Sequence, residues 1–189
     1  TVPLNSSLSG HVKDDAPMFL LLTFSVLFQF ALAIHDREQF LCPIGVAFHH
    51  GYPAERHEVV TEDGYILTLF RIPRGKEGEA ASNATRRPPV LFQHGLLSSS
   101  WDAVSNLPEK AMGFVLADAG FDVWMANSRG NIYSPGHINL TSADEKYWQF
   151  SWYEMARFDM PAVIDKVLNE TESEKLYLIG HSQENVSSF

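Results

Sequence analysis

The chain has 189 residues, of which 45% are hydrophobic, 12% aromatic and 20% charged, enough apolar material for a folded core and too much for a disordered or fibrous chain. Lys plus Arg number 14 against 23 for Asp plus Glu, and the net charge of -9 argues against a nucleic-acid partner held by phosphate neutralisation. The single cysteine, Cys42, has no partner for an internal disulfide, and without a Cys-x-x-Cys pair no structural zinc or redox site is expected.

The first residue is threonine, so Met18 is the expected start, and residues 1–17 read as an upstream segment outside the mature protein. From Met18 an apolar block runs to Ala31-Leu32-Ala33, a small-residue pattern suited to signal peptidase, before the chain turns polar at Ile34-His35-Asp36-Arg37-Glu38. The block is shorter than the about 20 apolar residues of a membrane span, so residues 18–33 are expected to be a signal peptide and 34–189 the mature domain. Sequons at Asn83, Asn139 and Asn169 fall in polar stretches between apolar runs, and Asn185-Val-Ser187 also matches. They agree with passage through the secretory pathway.

Glu58 to Ile72 reads as an antiparallel hairpin that opens the domain, its two β-branched and aromatic runs joined through Asp63-Gly64. A polar, turn-rich loop over 73–88 leads into Pro89-Val-Leu-Phe-Gln93, the composition of a buried strand. Apolar residues at 111, 112, 115 and 116 predict an amphipathic helix between Pro108 and Ala119, stopped by Gly120, with a strand over 121–126 behind it. Asp159-Met-Pro161 predicts a further helix opened by a capping acid and running to Asn169, followed by a strand over 176–179. This alternation is the pattern of a parallel sheet covered on both faces, hence an α/β fold in one domain.

The last strand runs into Gly180-His-Ser-Gln183. A Gly-x-Ser turn between strand and helix presents its serine at a strained elbow. A second block, Gln93-His-Gly-Leu-Leu97, follows another strand at the place where a tetrahedral oxyanion would need backbone N–H groups. His49, His50 and His57 lack the i, i+4 pairing of a helical zinc site and read as surface histidines. Trp148, Phe150, Trp152 and Tyr153 read as core packing beside the sheet, with contact to a lipid–water interface as the alternative.

Gly51-Tyr-Pro53, Thr61-Glu-Asp-Gly-Tyr-Ile-Leu67, Gln93-His-Gly-Leu-Leu97, Leu116-Ala-Asp-Ala-Gly120, Asn127-Ser-Arg-Gly-Asn131 and Gly180-His-Ser-Gln183, in that order, resemble the acid lipase family of animals, over roughly residues 46–183. The resemblance implies an α/β-hydrolase fold and hydrolysis of triacylglycerols or cholesteryl esters through an acyl-enzyme, without cofactor or metal, in the lysosome or outside the cell. Position by position it makes Ser182 the nucleophile and gives the oxyanion hole to the backbone N–H groups of Leu96 and Gln183; His181 is not the triad histidine. In the family Gln183 is followed by Gly-Thr, whereas here Glu184 follows, a residue expected to misplace Ser182. The triad acid and histidine follow the serine in this fold, and no residue here is assigned to either role. The expectation is therefore a domain truncated after the nucleophile strand and inactive by itself. The alternatives are a noncatalytic secreted module that binds lipid or acts as a decoy, and an α/β-hydrolase esterase of other specificity.

Overall fold

The computed structural model describes residues 41–76 and 86–182; the expected signal peptide, Asn83, Gln183 and Glu184 lie outside these stretches. Helix α1 (Pro43–His49) precedes strands β1 (Glu55–Val60), β2 (Tyr65–Ile72) and β3 (Pro89–Gln93). Then come α2 (Met112–Asp118), β4 (Asp122–Ala126), the two-residue β5 (Gly136–His137), the short turn α3 (Trp152–Glu154), α4 (Met160–Thr171) and β6 (Tyr177–Gly180). The strand order is β1-β2-β4-β3-β6, with β5 pairing β2 off that path. β3 runs parallel to both β4 and β6, whereas β1, β2 and β4 pair antiparallel in turn.

All five residues of β3 and all five of β4 are buried, as strands covered on both faces must be. Side chains alternate across the sheet. Phe70, Ile72, Val90, Phe92, Val123 and Met125 meet α1 and α2 on one face, while Leu67, Leu69, Leu91 and Trp124 meet Tyr147 and the Val163 and Val167 side of α4 on the other. The result is three layers with a core on each side of one sheet. The register places the strand ends: Gln93 is level with Ala126 on one side and Gly180 on the other, so three parallel strands end on one line. The chain steps from β3 to β4 on one side and later returns to β6 on the other, and the crevice beyond β3 is a topological switch point.

Several expectations shift. The hairpin does not open the described domain, because α1 precedes it with Pro43 in its first turn. Its connection is wider than a two-residue Asp63-Gly64 turn: Thr61 and Tyr65 still pair, and Gly64 N–H closes onto Thr61 O. The sheet is mixed, since the hairpin adds antiparallel strands to a parallel centre. In α2 the buried positions are Gly113, Phe114 and Ala117, and Val115 of the expected apolar face is exposed. The sheet-facing stripe is set by Phe114, which stacks on Tyr52 with ring centroids 4.4 Å apart.

The helix expected from Asp159 begins earlier, at Ser151, where a capping box joins Ser151 and Glu154. A π-helical turn, Met155–Asp159, connects α3 to α4. Asp159 does not cap: its backbone is already helical and its side chain makes no cap hydrogen bond. Trp148, Trp152 and Tyr153 are each about half exposed instead of forming core, because fully buried Tyr147 already fills that face of the sheet. Two of the expected surface histidines are packed: His50 lies edge-on to Phe114, and His57 stacks over Trp124 while bonding Glu55 at 2.9 Å.

The buried face of α2 gives a direct test. Phe114→Ala is expected to lower the unfolding free energy by about 3–5 kcal/mol, and Val115→Ala by no more than about 0.5 kcal/mol, in urea denaturation.

Candidate active site

The loops leaving β3, β4 and β6 meet beyond the line through Gln93, Ala126 and Gly180. His181 N–H donates to Gln93 O at 3.0 Å, which carries the β3–β6 ladder one residue past the strands. Ser182 follows with φ of 58°, a left-handed conformation that a serine adopts only at some cost and that the strand-to-helix elbow of a nucleophile requires. Gly95 makes room for it. A Cβ at position 95 would stand 3.0 Å from Ser182 Cβ and 3.1 Å from His181 O, so any larger residue would push the two loops apart.

The loop after β3 is held to the loop after β4 by named bonds. His94 is buried, with Nδ1 2.8 Å from Gly95 O. A carbonyl only accepts, so Nδ1 carries the proton, and Nε2 is left to accept the Ser128 N–H at 3.2 Å. Burial lowers the His94 pKa, with the Gly95 carbonyl opposing, which favours the neutral ring. Asn131 Nδ2 donates to Ser98 O at 2.7 Å, closing the far end of the same clamp. Between the two ends Leu96 and Leu97 are exposed, Leu97 at φ 59°, and among the described residues no acceptor meets the Leu96 N–H. Gln183, the other expected oxyanion donor, lies outside the described residues.

The β4 loop is itself anchored by Arg129, whose side chain is 1% exposed. Its guanidinium bonds Asp63 at 2.6 and 2.9 Å and Asp159 at 2.7 and 2.9 Å, and its backbone N–H also donates to Asp159. It lies 4.0 Å over the Tyr65 ring, with Phe150 and Phe158 further off. Burial pushes the Asp159 carboxyl above the ordinary carboxylate range despite the opposing guanidinium. At Asp63 burial also acts upward, but the Arg129 bonds outweigh it and hold the carboxyl below that range. Asn127 completes the anchor, accepting from Ser100 N–H and donating to Thr68 O.

A cavity of about 310 Å³ opens next to Gly95, walled by Leu96, Leu97, Trp148, Phe150 and Met155 and by residues 128–131. Its wall is mainly apolar, and the Arg129 charge is answered by its two carboxylates. Among the described residues no group of three His, Cys, Asp or Glu could hold a metal ion, and no imidazole or carboxylate bonds Ser182. Of the expected sequons, Asn139 and Asn169 are exposed. Thus the structure brings Ser182 and the Leu96 loop together. The anchor of Arg129, Asp63 and Asp159 is not among the sequence-based expectations. Its one sequence signal is an arginine within Asn127-Ser-Arg-Gly-Asn131, directly behind a strand with no exposed residue.

Two family profiles match the chain: a partial α/β-hydrolase lipase region over residues 45–107 and the α/β-hydrolase fold over residues 88–183. Human lipase member M is 46% identical, covering 94% of this chain and 43% of its own. Bovine gastric triacylglycerol lipase is 48% identical and human lysosomal acid lipase/cholesteryl ester hydrolase 49%, each covering 74% of this chain and 34% of its own. The resemblance to animal acid lipases therefore holds over most of the chain, which spans less than half the length of these relatives.

Arg129→Met should leave Asp159 buried without a counter-ion, at a cost of about 3–5 kcal/mol near neutral pH. The Asp159 carboxyl, already raised, rises further without the guanidinium, so protonation relieves the variant as pH falls. Asp63 in the unaltered protein has a lowered pKa and forfeits its contribution in the same direction. Urea unfolding is expected to give a deficit that shrinks between about pH 7 and about pH 4.5; a constant or growing deficit would contradict the pairing.

Proposed function

The chain belongs to the α/β-hydrolase family, and from that premise we propose that it carries the nucleophile and oxyanion loop of a lipase. The reaction is cleavage of carboxylic ester bonds in triacylglycerols or cholesteryl esters through a serine acyl-enzyme. The observation that carries this reading is Ser182 at φ 58° directly behind β6, packed against Gly95 at the head of the Leu96 loop. The apolar cavity alongside suits the acyl group of a neutral lipid, and the names of the gastric and lysosomal relatives point to the same substrates.

In this scheme Ser182 Oγ attacks the ester carbonyl carbon and gives its proton to a general base. The N–H groups of Leu96 and Gln183 meet the oxyanion that forms, and the intermediate collapses with loss of the alcohol, which takes up that proton. Water then releases the carboxylic acid by the reverse sequence. His94 is unsuited as base, because both its ring nitrogens are engaged. The base and its carboxylate partner are assigned to the part of the relatives that this chain does not span, since both follow the serine in this fold. Without them hydrolysis falls by a factor on the order of 10⁶ in turnover, so residues 1–189 alone are read as inactive. The apolar segment at 18–33 and the exposed Asn139 and Asn169 support a secreted or lysosomal route with glycans at those asparagines. The absence of a base bonded to Ser182 among the described residues, beside an apolar cavity, also suits a second reading, a noncatalytic module that binds lipid.

Joining residues 34–183 to the C-terminal part of bovine gastric lipase is expected to produce hydrolysis of tributyrin that Ser182→Ala lowers at least about 10³-fold. The chain alone should hydrolyse no faster than its own Ser182→Ala variant. A folded chimera equally active with and without the substitution would overturn Ser182 as nucleophile, whereas serine-dependent turnover by the chain alone would overturn the placement of the base.

A further inference from the structure

Apart from Leu96 and Leu97, the apolar wall of the cavity is built from two kinds of side chain. The rings of Trp148 and Phe150 lie on Gly130, which has φ of 74° and where a Cβ would come within 3.0 Å of Trp148 and 3.1 Å of Phe150. Trp148 is also tied by Nε1–H to Ser142 O at 2.9 Å. These rings are held in place by the loop they cover. Met155 differs, being unbranched and able to change shape at little cost. It also opens the π-helical turn whose last residue, Asp159, bonds Arg129 at 2.7 Å.

Turns of this kind inside helices occur frequently at functional sites. Here one short segment presents Asp159 to a buried guanidinium and Met155 to the cavity. The ion pair holds one end of the turn, and Met155 at its other end lines the cavity next to Gly95, the glycine packed against Ser182. The cavity offers no charge to its occupant, so discrimination between occupants rests on length and shape.

We propose that Met155 is the size-determining wall of the acyl seat and sets the longest acyl chain that the cavity buries. This rests on reading the cavity as the acyl seat of a lipase. The volume enclosed then depends on the residue at 155: a smaller side chain lengthens the seat and a ring shortens it, while Trp148, Phe150 and the Ser182 elbow stay where they are.

The test measures binding of hexanoate, octanoate, decanoate and dodecanoate to the full chain by calorimetry, at concentrations where they remain monomeric. While the chain end is still entering the cavity, each added methylene should tighten binding about fourfold. Beyond the length at which the end meets Met155 the gain should stop. Met155→Ala is expected to move that break to a longer acid and Met155→Phe to a shorter one, with far-UV circular dichroism unchanged. Should one variant fail to fold, the other alone decides the direction. A break at the same length in all three proteins overturns the role of Met155 and leaves the acyl seat intact. Binding without any dependence on length in the unaltered protein overturns the acyl seat itself, and this inference with it.

Discussion

A guanidinium enclosed by Tyr65, Phe150 and Phe158 is tolerable only if its charge is answered, and Arg129 meets that condition with four hydrogen bonds to two carboxylates drawn from distant parts of the chain. Asp63 comes from the hairpin loop and Asp159 from the π-helical turn. One buried cation thus fixes three segments that share no strand. The arrangement is strongly destabilising to break and gives little net stability compared with apolar packing of the same shape. Its effect is geometric, because it makes the loop after β4 a rigid bracket at the ends of the strands.

The rest of the site hangs from that bracket. Ser128 N–H meets His94 Nε2 and Asn131 meets Ser98 O, so the loop after β3 is held at both ends while Leu96 and Leu97 stand out between them. The parallel register brings Gly180 level with Gln93, and Ser182 arrives beside Gly95. Preorganised N–H donors act on a developing charge only if they do not have to move toward it. In the proposed function the clamped loop, whose Leu96 N–H meets no acceptor among the described residues, would supply such a donor. The same bracket holds Asp159 of the π-helical turn, so one wall of the apolar cavity and the Leu96 loop share one mechanical origin.

Much of this is legible in the sequence where the cause is local. β3 and β4 appear as mainly apolar runs because both faces are buried; the His-Gly step announces itself by following β3, and the Gly-x-Ser elbow by following the apolar run of β6. Phe114 shows where local reasoning falls short: of the apolar positions 111, 112, 115 and 116, Ala111 is buried and Met112 and Leu116 pack against the core, but Val115 is exposed and the sheet buries Gly113, Phe114 and Ala117 as well. Of the aromatic stretch only Phe150 packs against the core as expected; Trp148, Trp152 and Tyr153 stand about half exposed, since Tyr147 takes the space. Asp159 is the clearest case. Beside Pro161 it has every local mark of a helix cap, and its true partner, 30 residues away in Arg129, is visible only once the chain is folded. The family resemblance supplies the likeness of the Asn127–Asn131 block without its reason.

Whether the Arg129 bracket holds the Leu96 loop in position is tested most directly by amide hydrogen exchange of the unaltered protein against Arg129→Lys, a change that keeps the charge and removes the planar fork bonded to two carboxylates at once. Faster exchange is expected at His94–Ser98 and Ser128–Asn131, with protection inside β3 and β4 unchanged. Acceleration confined to the immediate neighbours of Arg129, with His94–Ser98 exchanging as before, would contradict the bracket.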